Sequence, residues 1–269
     1  MRNSDIAELL ARAAEHANQP LQRALRRAAR RSFLWPEEAE DRVARGESLT
    51  ELAGIGPYLN RLILDWFEHP PEVEEAIPEI RQAFLTVAEA RALRSQFPER
   101  FHEIRGDLQM HTLWSDGSAS TQDMAEAARL RGYSYIAITD HSKGLKIAGG
   151  IDEDQLAKQG EEIAAINQNM RGIGGGFRVL RSVELNLSPA GAGDMDENAL
   201  DGLDLALGCF HSALRRKEDQ TERYLSALRN PSIHILGHPR GRIYNFRLGL
   251  SADWARVFAL AASERKRTR

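Results

Sequence analysis

The chain has 269 residues, room for one barrel-sized domain and a small accessory module, with 42% hydrophobic residues, 36 basic and 39 acidic side chains and a formal net charge of −3. That balance excludes a globally basic nucleic-acid binder, so any such contact has to be local. No apolar run approaches the roughly 18 residues of a membrane span, and Met1-Arg-Asn-Ser-Asp-Ile-Ala-Glu8 lacks the apolar stretch of a signal peptide, so the expectation is a cytoplasmic protein with no membrane partner.

Residues 1–95 are rich in Ala, Arg, Glu and Leu at short helical periods, interrupted by Pro20, Pro36, Pro57 and Pro70-Pro71. They predict a small all-helical module. Inside it, Leu21 to Arg31 carries Arg23, Arg26, Arg27, Arg30 and Arg31 at helical spacing with apolar residues between, which reads either as a solvated basic face or as a phosphate-contacting one. Further on, Gly54-Ile55-Gly56-Pro57 sets one apolar anchor between two glycines, so a hairpin can turn tightly and leave backbone N–H groups at a helix start to meet a phosphate. The segment is similar to a helix-hairpin-helix motif, a grip on the DNA backbone without sequence readout. Asn60 stands where a small residue is usual and no lysine flanks Gly56, so a plain helix–turn–helix packing unit is the other reading. Residues 96–104, around Phe97-Pro98-Glu99, read as a connector.

Residues 105–269 change character. Five short apolar runs separated by helix-period segments each deliver a metal-capable side chain at or just past their end: Gly106 to His111, with Asp116 shortly after; Tyr135 to His141; Phe177 to Glu184; Leu203 to His211; and Ser232 to His238. Such runs predict parallel strands of a β/α barrel, whose C-terminal strand ends converge on one face. A single histidine in a strand is usually a hydrogen-bonded core residue. Several at the same structural position argue for a shared purpose, because imidazole and carboxylate suit borderline and hard cations, and multinuclear phosphoester cleavage needs several such ligands with a bridging carboxylate. His234, inside its run, and His16, His69 and His102 keep the structural reading. Cys209 is the only cysteine, which rules out an intrachain disulfide and a structural zinc site built from cysteines, and its apolar neighbours assign it to packing.

Asp107-Leu-Gln-Met-His111-Thr-Leu-Trp-Ser-Asp116-Gly, Ile138-Thr-Asp-His141-Ser, Val183-Glu184, Phe210-His211-Ser and Gly237-His238-Pro resemble successive motifs of the polymerase-and-histidinol-phosphatase (PHP) phosphoesterase family, most of all the C-terminal domain of bacterial family X DNA polymerases. The loop Ser142-Lys-Gly-Leu-Lys-Ile-Ala-Gly-Gly-Ile151 is similar to that branch, and residues 1–95 resemble its small DNA-end-binding domain. The polymerase palm is missing, so polymerase activity is not expected. The resemblance implies an α/β fold, an incomplete (β/α)7-type barrel of about five strands after the all-α module. It also implies up to three divalent cations, Mn or Zn, with fewer expected here. Glu184 would bridge two, His111 completing the first position, His211 and His238 holding the second, and Asp116 with His141 the third. Gln109 stands where many relatives have histidine, so the first position should be looser. Asp140 is expected to orient a ligand rather than bind. Lys143, Lys146, Arg240 and Arg242 follow strand ends closely enough to reach a phosphate, and Glu184, Lys143 and Arg240 are the residues assigned to catalysis.

The family barrel closes with an Asp-x-His pair on its last strands, and none follows Gly249. Residues 251–262 read as a helix and 263–269 as a polar tail. An unclosed parallel sheet exposes apolar edges and should favour self-association. The expected function is a metal-dependent phosphoesterase acting on DNA ends, of 3′–5′ exonuclease or 3′-phosphatase type, with feeble hydrolysis. The alternatives are a catalytically weak DNA-binding scaffold and a small-molecule phosphatase of the histidinol-phosphatase type. The absence of lysine before Lys143 argues against Schiff-base lyase chemistry in the first module.

Overall fold

The computed structural model describes residues 1–73, 75–171 and 176–268 and divides the chain into two compact units, Met1–Phe101 with Ile243–Leu248, and His102–Arg242 with Gly249–Arg269. The helices of the first unit are α1 (Asn3–His16), α2 (Leu21–Ser32), α3 (Ala39–Ala44), α4 (Pro57–Glu68), α5 (Val87–Gln96) and α6 (Pro98–His102). On α1 the buried residues Ile6, Leu10 and Ala14 recur at one helical face, and on α2 Leu25, Ala28 and Ala29 answer them. Alanines at the contact let the two backbones come close. Buried Trp35 completes this core and its indole N–H donates to Ala53 O at 3.1 Å, so the ring is buried without an unsatisfied donor. The helix expected before the Gly54 hairpin is only a 3-10 turn, Leu49–Glu51, and Asn60 of α4 reaches back to accept from Leu49 N at 3.0 Å. The stretch read as a connector carries the end of α5 and all of α6.

The second unit contains β1 (Gly106–Met110), α7 (Thr121–Leu130), β2 (Tyr135–Ile138), α8 (Glu153–Arg171), β3 (Arg178–Arg181), β4 (Glu184–Asn186), α9 (Glu197–Leu200), β5 (Leu207–Cys209), α10 (Thr221–Arg229), β6 (Ile235–Leu236), α11 (Trp254–Ser263) and β7 (Arg267–Thr268). The pairings between these strands are all parallel, in the order β1-β2-β3 and β4-β5-β6-β7. This is α/β architecture with strands in sequence order, and among the described residues no ladder joins β1 to β7. Two details differ from the sequence expectation. The run from Phe177 to Glu184 is broken into β3 and β4, because Glu184 pairs past the end of β2: its N–H donates to Asp140 O at 3.1 Å and its carbonyl accepts from Ser142 N at 3.1 Å. The stretch read as a polar tail supplies β7, since ladder pairing uses backbone groups and does not require apolar side chains at an edge.

Strand alternation decides what faces where. On the β5 run, Ala206 and Phe210 join the cluster under α10 and α11 with Leu185, Leu225, Leu236 and Val257, whereas Leu207 and Cys209 join Ile235 and Leu108 in a second cluster. His211 continues the parity of Leu207 and Cys209. A third cluster packs Ala125 and Ala128 of α7 and Ile163 and Ile166 of α8 onto Ile136, Ile138 and Val179. Asn167 of α8 clamps β3 with two 2.8 Å hydrogen bonds to Val179, one to its N–H and one to its carbonyl.

Candidate metal centre

Glu184 opens β4 with its side chain 1% exposed, and five polar side chains from four other strand ends turn onto it. His211 Nε2 lies 2.9 Å from Glu184 Oε1, and His238 Nε2 lies 2.9 Å from the same oxygen. His111 Nε2 is 3.3 Å from Oε2, to which Gln109 donates at 2.5 Å. His141, at the end of the β2 run, brings Nδ1 to 3.9 Å from Oε1. The rings of His111 and His141 stack at 4.4 Å between centroids, and Asp116 bridges their outer side, 3.6 Å from His111 Nδ1 and 3.7 Å from His141 Nε2. Residues as far apart in sequence as Gln109 and His238 thus meet around one carboxylate.

Electrostatics follow from this geometry. Burial alone would raise the Glu184 carboxyl, but hydrogen bonds from His111, His211 and His238 outweigh it and hold it well below the usual carboxylate range. Burial acts to lower His111, yet Glu184 beside it wins and raises it. For His141 burial wins and lowers it, favouring neutral imidazole, the metal-binding form. Glu184 is therefore a buried anion in a ring of imidazoles.

Several supporting contacts could not be read from spacing. Asp140, fully buried, accepts from Thr112 N (2.7 Å), Thr112 Oγ1 (2.7 Å), Ser115 Oγ (2.5 Å) and Gln159 Nε2 (2.7 Å), so it shapes the loop after His111 rather than orienting the His141 ring beside it. Gly117 lets that loop fold back, since a Cβ there would overlap the His111 carbonyl, and Gly117 N donates to Thr112 O at 2.9 Å. Asn186 Oδ1 lies 3.1 Å from His211 Nδ1, so Nδ1 carries a proton, and Nε2, which faces Glu184, is the nitrogen a cation could take in place of its hydrogen bond. Arg223 backs the segment after His211, stacking its guanidinium 4.0 Å from the Phe210 ring centroid and donating to Ser212 O at 2.8 Å. His238 has φ of 23°, at the edge of the left-handed region, where a non-glycine residue carries strain of about 1–3 kcal/mol.

The donor set can hold divalent cations. Ligand atoms fall within 4.8 Å of one another in three groups: His111, Asp116 and His141; His141, Glu184 and His211; and Glu184, Cys209 and His238. These groupings differ from the expected pairings in joining His211 to His141 and in adding Cys209, which the sequence reading assigned to packing. His111 Nδ1 and His141 Nδ1 are buried without hydrogen-bond partners, as ring nitrogens reserved for a cation would be.

Other sequence candidates are not among the side chains that meet at Glu184. Lys143 is exposed and ion-paired to Glu153 at 2.6 Å, because Glu153 opens α8 directly across the 142–151 loop. Lys146 and Arg240 are exposed, and the Arg240 carbonyl accepts from Leu250 N. His234 turns away, accepting from Ala206 N at 3.1 Å, and His69 sits 3.3 Å from Asp65. The side chain of His102 is outside the described residues. In the first unit, Arg26, Arg27 and Arg30 are exposed on α2, with Arg30 5.9 Å from the Phe246 ring centroid. Ile55 is buried between Gly54 and Gly56, Gly56 caps α4 without a side-chain hydrogen bond, and the Arg31 stem lies against Gly54. Among the described residues no helix is long and apolar enough to cross a membrane.

No family model matches the chain. It is 36% identical over 193 residues to the DNA polymerase/3′-5′ exonuclease PolX of Bacillus subtilis, 71% of this chain and 32% of that protein. It is 33% identical over 138 residues to a probable phosphatase of Acetivibrio thermocellus (49% of this chain, 53% of that one), and 31% over 161 residues to a probable phosphatase of Photobacterium profundum (58% and 59%). The chain thus spans between about a third and three-fifths of the length of these relatives. With the strand-end histidines gathered on Glu184, these similarities make the chain a member of the PHP phosphoesterase family, related to PolX.

Proposed function

We propose that the protein is a metal-dependent phosphoesterase acting on DNA ends, and that the convergence of His111, His141, His211 and His238 on Glu184 is the observation that carries this reading. Bound divalent cations, of the manganese or zinc kind, would supply Lewis-acid polarisation of a phosphoryl oxygen and a lowered pKa for attacking water. The chain's own residues supply the frame. Glu184 provides a shared carboxylate, Asn186 fixes the tautomer of His211, and Asp140 holds the loop that carries Asp116. Gln109 contacts Glu184 through a neutral amide and would lend a weak carbonyl ligand after an amide flip.

The preference for DNA is supported by the first unit. Arg23, Arg26, Arg27, Arg30 and Arg31 line α2 as an exposed basic face in a protein that is otherwise slightly acidic, next to an uncapped helix start at Gly56-Pro57. One relative's name includes a 3′-5′ exonuclease, while the others are named phosphatases, which keeps a small phosphomonoester as the second reading. The test is hydrolysis by the metal-loaded chain of a 3′-recessed duplex, a 3′-phosphorylated duplex and histidinol phosphate at equal concentration. Turnover of either duplex at 10-fold or greater excess over the metabolite is expected. Turnover of histidinol phosphate alone would overturn the DNA reading and leave the phosphoesterase standing.

A further inference from the structure

Cys209 ends β5 with its side chain on the same face of the run as His211, two residues on. On one side it packs with Leu207 and Ile235; on the other it enters the polar centre, where its sulfur, one Glu184 oxygen and one His238 nitrogen all lie within 4.8 Å of one another. The next strand yields space to the sulfur, since a Cβ on Gly237 would overlap Sγ. An adjoining group that shares Glu184, His141 with His211, is also built for a cation. His141 is 8% exposed, and its Nδ1, without a hydrogen-bond partner, points to Glu184 Oε1 at 3.9 Å. An unsatisfied buried nitrogen is unfavourable, and metal coordination is the chemistry that would satisfy it.

We propose that Cys209 is a protein ligand, together with Glu184 and His238, for a thiophilic divalent cation of the zinc, cobalt(II) or cadmium class, and that it sets the metal preference of the centre. This rests on the metal-dependent reading above and adds the identity of the cation. A sulfur, an imidazole and a carboxylate form a donor set that favours zinc over manganese or magnesium, which prefer oxygen donors. Ligands at zinc bond lengths of about 2.0–2.3 Å stand roughly 3.3–3.8 Å apart in a tetrahedral arrangement, inside the observed span. Binding releases the thiol proton to solvent and forms a sulfur–metal bond, with no change of oxidation state.

The chain holds one cysteine, so a thiolate-to-metal charge-transfer band raised in the ultraviolet by cadmium or cobalt(II) chloride can come only from Cys209. The full-length native chain, stripped with chelator and titrated, should show that band saturating at one cation per chain. Cys209→Ser, with its fold checked by near-ultraviolet circular dichroism, should lose the band. Its zinc affinity should fall by about 100-fold or more, beyond the effect of an outer hydrogen-bond partner, while manganese affinity holds. Stoichiometric binding of cadmium and zinc by the native chain without the band would overturn the cysteine ligand alone, and needs no variant. Failure to bind zinc, cadmium or manganese at all would overturn the metal reading beneath it.

Discussion

Asn186 determines which nitrogen of His211 faces Glu184, so its effect should be felt through the histidine rather than by direct contact with a cation. Asn186→Leu is expected to weaken metal binding by about 10–100-fold while leaving thermal stability nearly unchanged, measured by chelator competition beside a melting curve. Asp140 is the contrasting case. It accepts four hydrogen bonds while fully buried, and Asp140→Ala strands several buried donors, which should cost about 3 kcal/mol in a urea titration. Equal stability of the variant and the native chain would refute that role. The histidines and Glu184 were legible in the sequence because each sits at a strand end, where chain geometry alone aims side chains at one face. Asn186, Cys209 and the hub role of Asp140 were not, because their meaning lies in partners that only the packed fold brings near. Lys143 shows the same limit: a cation beside the site by sequence, it is bound to Glu153 at the start of α8.

At the scale of elements, the helices and parallel strands announce themselves through period, while their ends do not. The break between β3 and β4 arises from a change of ladder partner at Asp140 to Ser142, and β7 from backbone pairing by a charged segment; neither leaves a hydrophobic pattern to read. In the first unit the arrangement of α1 depends on Arg81, buried and bonded to Glu8 at 2.8 and 3.0 Å and to Glu15 at 2.7 Å. That clamp joins residues more than sixty positions apart and has no sequence signature. Among the described residues, Arg81→Ala leaves Glu8 with the 2.8 Å pair to Arg12, so a loss of about 3 kcal/mol is expected, at the low end for a broken buried pair. Chemical denaturation followed by the fluorescence of buried Trp35 and Trp66 would measure it, and an unchanged midpoint would show that the clamp contributes no net stability.

The whole molecule carries a helical unit with one basic helix face and a metal-ligand unit in one slightly acidic chain, which separates binding from chemistry experimentally. Replacing Arg26, Arg27 and Arg30 together with Glu should lower oligonucleotide affinity and flatten its dependence on salt by up to about one unit of slope for each phosphate no longer neutralised, with metal content unaltered. A variant that keeps both affinity and slope would remove α2 from the DNA-binding account. The central claim concerns Glu184, on which the four strand-end histidines converge. The most direct measurement is metal content per chain by elemental analysis, paired with hydrolysis of a 3′-phosphorylated oligonucleotide, for the native chain and Glu184→Gln. The native chain should retain at least one divalent cation through gel filtration and turn over the oligonucleotide, and the variant should lose both, its activity falling by at least about 100-fold, as loss of a shared ligand should outweigh loss of an outer partner. Full metal content and full turnover in Glu184→Gln would contradict the account.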